Sequence, residues 1–253
     1  MNKVSLIITT CLRDELLSKS VESILPYLNE DLQLIVVDQD PTLNKVEYFS
    51  NWHYISIPYN SGLSYARNIG VLKAKELGCK YVIIGSDSFL FNKSIKKIDN
   101  LIHNNLYGYD LLGFELSGCV CDWECYLKLV PEKYFELEFI EKDMSFSQQD
   151  NFKLFGCDIV RNFFLAKIDT LIDSPWNNEL KLAEHEAFFY EYKQRGYKVG
   201  WTDLISANKM KDRPDNYSKL REENFRNGKE NLQKIYKIKS WISYANQPTG
   251  VNK

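Results

Sequence analysis

"YVIIGSDSFLF", residues 81 to 91, carries the decision about the fold. Tyr81 to Ile84 is an apolar run that stops at Gly85-Ser86-Asp87-Ser88 and resumes as Phe89-Leu90-Phe91. A short apolar run bounded by turn residues reads as a strand buried on both faces. Asp87 then stands at the strand's end, either as an ordinary turn residue or as a group around which a charged ligand is placed. Its surroundings bear on the choice.

Working outward toward the N-terminus, "VSLIIT" at 4 to 9, "LQLIVVD" at 32 to 38 and "HYISI" at 53 to 57 read as further strands. Between them, residues 14 to 28 place Leu17, Val21, Ile24, Leu25 and Leu28 at helical spacing after a polar start. Residues 61 to 77 read as a helix closed near Gly78. This βαβ rhythm predicts a mostly parallel sheet covered on both faces. In such sheets ligands gather at the carboxyl ends of the strands.

Beyond Ser94 the pattern changes. A helix over 94 to 105 precedes "YDLLGFEL", "WECYLKLV" and "YFELEFI", three strand-like runs expected to form a mixed or antiparallel extension. "IVRNFFLAKIDTLI" reads as a strand turning into a short helix, 184 to 195 as a helix closed by Gly196, and "YKVGW" and "LISAN" as two strands. Residues 215 to 244 are polar, basic and helical. The simplest partition is a domain over 1–212 with a helical appendage over 213–253.

The 253 residues, 44% apolar and 26% charged, suffice for a substantial core. A net charge of -2 supplies no whole-chain field for nucleic acid or an anionic membrane. Charge is uneven: residues 115 to 150 are acidic, whereas 207 to 239 are basic and would welcome a polyanion, although solvated helix faces are the ordinary reading. "MNKVSLIITT" runs straight into a strand-like stretch and no run nears the roughly 20 apolar residues that cross a bilayer, so a soluble cytoplasmic protein without an export signal is expected. The six cysteines are then reduced thiols. Cys119-x-Cys121-x-x-x-Cys125 lacks paired C-x-x-C spacing and a nearby fourth ligand, which disfavours zinc.

Three constellations carry possible chemistry. Asp38, Asp40 and Asp87 lie where strands end, where a carboxylate can accept hydrogen bonds from a nucleoside or hold a divalent cation against a diphosphate. In "YNSGLSYARNIGV", Asn60, Ser61 and Gly62 form a turn that opens a helix, whose free N–H groups favour an anion, and Arg67 sits within that helix. In "LKLAEHEAFFYEYKQRG", Glu184, His185 and Glu186 cluster at a helix start. A carboxylate there is either a structural cap stabilised by the dipole or a general base over an acceptor hydroxyl.

The ordered series "VSLIITT", "LIVVDQD", "NSGLSYARNIGV", "YVIIGSDSFLF" and "NFFLAKIDTLIDSPWNNELKLAEHEAFFYEYK" resembles a GT-A glycosyltransferase of the family-2 type. It is most similar to the branch of the ganglioside-type β-1,4-N-acetylgalactosaminyltransferases. The resemblance spans residues 4 to 205. It implies an α/β fold with a Rossmann-like nucleotide-binding sheet, a mixed-sheet acceptor half and C-terminal helices. The implied activity is inverting transfer of a sugar from a nucleoside diphosphate, UDP by resemblance, to a hydroxyl of a glycan or glycoconjugate.

By the same resemblance, Thr9, Asp38, Asp40, Ser61, Gly62, Arg67, Ser86 and Asp87 would bind the nucleotide sugar. Asn162 and Trp176 would line the acceptor pocket, and Asp87 would hold Mn or Mg. Glu184 is the first choice for the base, then Glu186, then His185. The pattern also departs from the family's: Ser86-Asp87-Ser88-Phe89 stands where Asp-Asp-Asp-Phe is common, and Ala187 where an acid is usual. "ANKMKDRPDNY" stands where many relatives carry a histidine metal ligand. The expectation is therefore a weak cation site centred on Asp87, or its partial replacement by Lys209, Lys211 and Arg213 at the leaving diphosphate. Two other readings are transfer to a modified nucleic-acid base and an inactive module that binds a nucleotide sugar.

Overall fold

Seven residues from "VSLIITT" form strand β1 (Val4–Thr10), every one of them buried, at the centre of a computed structural model. It describes residues 3–40, 52–117, 124–140, 152–211 and 214–245. Helix α1 (Asp14–Ile24) leads to β2 (Leu32–Asp38), and β3 (Trp52–Ser56) is followed by α2 (Leu63–Glu76) and β4 (Tyr81–Ser86). These four strands run parallel in the order β3-β2-β1-β4. Their register sets Thr9 beside Ser86 and Thr10 beside Asp38, so the carboxyl ends align at one rim.

Alternation along each strand separates two apolar layers. Ile7, Ile35, Val37 and Ile84 face a cluster containing Ala66, Val71 and Ala74 of α2, together with residues of two later helices, α4 (Ile168–Asp173) and α5 (His185–Gln194). Leu6, Ile8, Leu34, Val36 and Ile83 face α1 and α3 (Ile98–His103). At Gly70 an added methyl would lie 2.5 Å from Ile7 Cγ2. That close approach seats α2 against β1, which fixes where its N-terminal turn meets the rim.

The second half of the sheet is mixed. β5 (Phe89–Phe91), β6 (Leu111–Ser117), β9 (Leu154–Cys157), β10 (Phe164–Lys167) and β11 (Val199–Lys209) complete nine strands among the described residues. β10 runs antiparallel to both β4 and β6 and so joins the parallel half to the mixed one. "YKVGW" and "LISAN", expected as two strands, are one strand: β11 pairs continuously along β6, with a register shift between Thr202 and Ser206. Such a shift absorbs extra residues without ending the ladder.

Of the three runs expected to extend the sheet, only "YDLLGFEL" does so. "WECYLKLV" and "YFELEFI" contribute β7 (Cys125–Val130) and β8 (Tyr134–Phe139) to a separate three-stranded sheet. Cys125, Leu127, Phe135 and Leu137 are buried while Tyr126 and Lys128 are exposed, the alternation of a sheet with one wet face. The third strand, β12 (Ile242–Ala245), comes from the stretch read as helical to residue 244. Helix α6 (Asp215–Tyr236) ends earlier, where Lys237 adopts φ 53 in the left-handed region that terminates helices. The helix expected over 94 to 105 is also shorter: a 3-10 turn, Lys93–Lys97, precedes α3.

α6 lies against the rest of the chain. At Gly228 an added methyl would overlap the Leu182 carbonyl. Asn224 Nδ2 donates to Asn60 Oδ1, and Asn231 Nδ2 donates to the Glu179 carbonyl at 3.1 Å. The 212/213 boundary itself falls outside the described residues.

Candidate functional site

The rim is built by β1, β2 and β4. Asp87, the first residue after β4, is fully buried. Its Oδ2 accepts a hydrogen bond from Thr10 Oγ1 at 2.7 Å, and its Oδ1 accepts one from Ser86 Oγ at 3.1 Å. The same Oδ1 lies 2.5 Å from Arg13 Nη2. Asp87 is therefore held by three neighbouring side chains. Burial pushes its pKa up, against the charge of Arg13 and the donated hydrogen bonds. Arg13, absent from the sequence-based candidates, belongs to the turn between β1 and α1, and its guanidinium lies 4.1 Å from the ring centroid of Tyr217 in α6. The available signal was its position three residues past the end of β1, on the same rim.

Asp38 is equally buried and also fully engaged. Its Oδ1 accepts from the Asp40 N–H and its Oδ2 from the Tyr54 hydroxyl, both at 2.8 Å. Burial is the largest cause of its raised pKa. Thr9 and Asp40 are also buried. Gln39 ties this turn to α2 by accepting from the Gly62 N–H at 2.7 Å. Gly62 adopts φ 96, a conformation that favours glycine. The Leu63 N–H donates to the Lys181 carbonyl at 2.9 Å, and the Ser61 hydroxyl to the Pro58 carbonyl. The turn expected to offer free N–H groups to an anion thus spends two of them, at Gly62 and Leu63, on the protein itself.

Arg67, expected to reach the nucleotide, is paired within the protein. It is 3% exposed, and its Nη1 lies 2.6 Å from Glu184 Oε1, itself buried just before α5. Its guanidinium lies 5.4 Å from the Trp176 ring centroid. Trp176 is 2% exposed and stacks on Phe188 at 4.3 Å, so it is a core residue rather than the wall of an open pocket. Asn68 fixes its backbone, accepting from the Trp176 N–H at 3.1 Å and donating to its carbonyl at 2.8 Å.

His185 Nδ1 lies 3.1 Å from Asn162 Oδ1. Burial and the charge of Arg67 push the imidazole pKa down to about 3, so it is neutral near pH 7. Glu186 is fully buried; its Oε2 accepts from the Trp241 indole N–H at 3.1 Å, while its Oε1 has no hydrogen-bond partner. Burial, with the nearby charge of Glu184, raises its pKa to about 7. The rim and this cluster are joined through one helix. Gly62 and Arg67 are five residues apart, about 7.5 Å of helical rise. The first contacts the turn after Asp38 and the second contacts Glu184.

Lys209 pairs with Phe89 in the β11–β5 ladder, and the Met210 N–H donates to the Ser88 carbonyl at 2.8 Å. That brings the backbone of Lys209 and Lys211 to the Asp87 turn. Arg213 lies outside the described residues, as do Cys119 and Cys121; Cys125 is fully buried. A divalent cation does not fit this donor set. Among the described residues no three His, Cys, Asp or Glu side chains are grouped to hold a metal, and both Asp87 oxygens already have partners. A recess of about 530 Å³ beside Trp52, His53 and Tyr54 of β3 and Leu72 of α2 contains neither Asp87 nor Glu186.

Residues 5–110 match the family described as glycosyl transferase family 2. The fold is similar to that of S. aureus TarS 1-349, at 14% identity over 82% of this chain and 60% of that one, with a TM-score of 0.56. A second S. aureus TarS crystal structure gives 15% identity over 88% of this chain and 39% of that one, with a TM-score of 0.55. GalNAc-T7 solved with UDP, GalNAc and Mn2+ gives 11% identity over 88% and 48% of the two chains and a TM-score of 0.60. At these identities the likeness establishes the fold, the α/β architecture of GT-A glycosyltransferases. The chain spans less than two thirds of the length of each of these three. No curated protein matches it. No helix among the described residues is long and apolar enough to cross a membrane.

Proposed function

We propose that the protein transfers a sugar from a nucleoside diphosphate, UDP in the first instance, to a hydroxyl of a glycan or glycoconjugate, with inversion at the anomeric carbon. Residues 1–212 would form the catalytic domain and 213–253 an appendage packed on it. The observation that carries the reading is the link through α2, which connects the Asp38 and Asp87 rim to the acidic start of α5. The glycosyl transferase family 2 match over residues 5–110 supports the donor half.

In this reading the nucleotide lies along the rim at Thr9, Asp38, Asp40, Ser61, Gly62, Ser86 and Asp87. The acceptor oxygen forms its bond to the anomeric carbon as the bond from that carbon to the diphosphate oxygen breaks. The acceptor's proton passes to a carboxylate. Glu184 is held by Arg67, whereas Glu186 has an oxygen without a partner and a pKa raised to about 7, suited to accepting a proton near neutrality. Glu186 therefore takes the role of base, with the Arg67–Glu184 pair positioning the α5 start and the neutral His185 held by Asn162. Because Glu186 is covered by Trp241, acceptor binding has to open that side. Lys209, whose backbone pairs with Phe89 beside the Asp87 turn, and Lys211 two residues on would add positive charge at the leaving group.

The test is to supply purified protein with UDP-hexoses and UDP-N-acetylhexosamines and a panel of glycan acceptors, following UDP release and the product's anomeric configuration by NMR. Acceptor-dependent release with inverted configuration is expected. Retained configuration would overturn the mechanism, and no release from any pair would overturn the activity. One observation favours a second reading, a nucleotide-sugar-binding module without turnover: Asp87 is fully engaged by protein groups. UDP binding with neither transfer nor donor hydrolysis would establish it instead.

A further inference from the structure

We infer that Arg13, held between Asp87 and Tyr217, is the resident positive charge for the donor's diphosphate and stands where a divalent cation would otherwise be needed. The inference rests on the nucleotide-sugar reading and adds to it the group that receives the diphosphate. The charge needed at the leaving group can come from a metal or from the protein, and the donor set decides between them. A divalent cation at this rim would need Asp87's lone pairs. One of its oxygens lies 2.5 Å from Arg13 Nη2, and the other takes the Thr10 hydroxyl. The Arg13–Asp87 pair is neutral as a unit, so it offers no attraction to an incoming dication, and the guanidinium opposes it. The neighbouring hydroxyls of Ser86 and Ser88 lie 3.0 Å from one another.

Arg13 itself has the features of an anion receptor. A guanidinium carries five N–H donors in a rigid plane that matches phosphate oxygens two at a time. Its Nε is buried without a hydrogen-bond partner. The guanidinium carbon lies 4.1 Å from the Tyr217 ring centroid, a cation–π contact that helps hold Arg13 in place. Asp87, 0% exposed at its side chain, anchors one corner. Arg13 follows the carboxyl end of β1, the side of the sheet on which ligands of such folds collect.

The experiment measures dissociation constants of UDP and UMP for the wild-type protein in EDTA and in Mn²⁺, and for Arg13→Gln. UDP is expected to bind about tenfold or more tightly than UMP in EDTA, with no further gain from Mn²⁺, and the gap is expected to collapse in Arg13→Gln. A gap that appears only with Mn²⁺, or one unchanged in Arg13→Gln, would overturn the inference while leaving the nucleotide site standing. Absence of UDP and UMP binding in either buffer would remove the nucleotide reading and this inference together. Should Arg13→Gln fail to fold with Asp87 unpaired, Arg13→Gln/Asp87→Asn removes both charges and the same gap is read. The comparison of EDTA with Mn²⁺ on the wild-type protein needs no variant.

Discussion

Asp87 and Glu186 are both fully buried carboxylates, yet the protein treats them in opposite ways. Around Asp87, Thr10, Ser86 and Arg13 supply donors to both oxygens. Around Glu186, Trp241 serves one oxygen and the other goes without. A buried polar group is normally satisfied, so the first arrangement is what a holding group looks like: Asp87 fixes Arg13. The second leaves a carboxylate whose charged form is poorly supported, the condition under which a group takes up protons near neutral pH. Each region can be perturbed separately, and the contrast predicts different outcomes.

The largest effect is expected from Glu186→Gln. The amide oxygen can keep the Trp241 hydrogen bond, so the fold is retained, while acceptor-dependent turnover falls about 10²- to 10⁴-fold, the usual contribution of a general base. UDP affinity by calorimetry stays unchanged. Wild-type turnover in this variant would return the base role to Glu184 or His185. Next comes Asp87→Ala, which strips Arg13 of its partner in a largely buried site and is expected to cost about 3–5 kcal/mol in a urea titration. A loss as small as that of Glu186→Gln would remove the distinction between the two carboxylates.

The third prediction concerns pH. Glu186 has its pKa raised from 4.5 to about 7, so the folded protein binds more protons than the unfolded chain between those values. Stability from this group is therefore full below pH 4.5 and is lost as pH rises through 7, with a slope of at most about 1.4 kcal/mol per pH unit. Glu186→Gln should flatten that part of the stability profile. Turnover runs the opposite way, rising with pH through about 7 as the base ionises. The smallest effect is that of Tyr217→Ala. Losing the ring over Arg13 should cost roughly 0.5–1 kcal/mol and weaken UDP binding by a comparable factor. A melting temperature and UDP affinity both unchanged would show that the ring does not hold the guanidinium.

Local patterning explains why the parallel half was readable. The runs at 4–10, 32–38 and 81–86 are continuous apolar strands, and each ends in a polar turn, so the pattern alone sets Asp38 and Asp87 at one rim. The helix after Glu184 was equally plain, since Phe188, Phe189 and Tyr192 share its buried side. What stayed hidden depends on contacts between distant residues. The Arg13–Asp87 pair spans 74 positions and Arg67–Glu184 spans 117, and no local period encodes either. Arg67 sits in an ordinary helical pattern, and only tertiary packing turns it inward beside Trp176. β7 and β8 carry strand periodicity, but which sheet they join depends on β12, more than a hundred residues later. Trp241, which covers Glu186, likewise comes from a stretch whose sequence is polar and basic.

The most direct measurement is a crystal structure with an unhydrolysed UDP-sugar bound. The diphosphate is expected within hydrogen-bond distance of Arg13 at the ends of β1 and β4, with the sugar directed toward Glu186. Nucleotide seated elsewhere, for instance in the recess beside Trp52 and His53, or a diphosphate held at the rim by a cation with Arg13 turned away, would contradict the account.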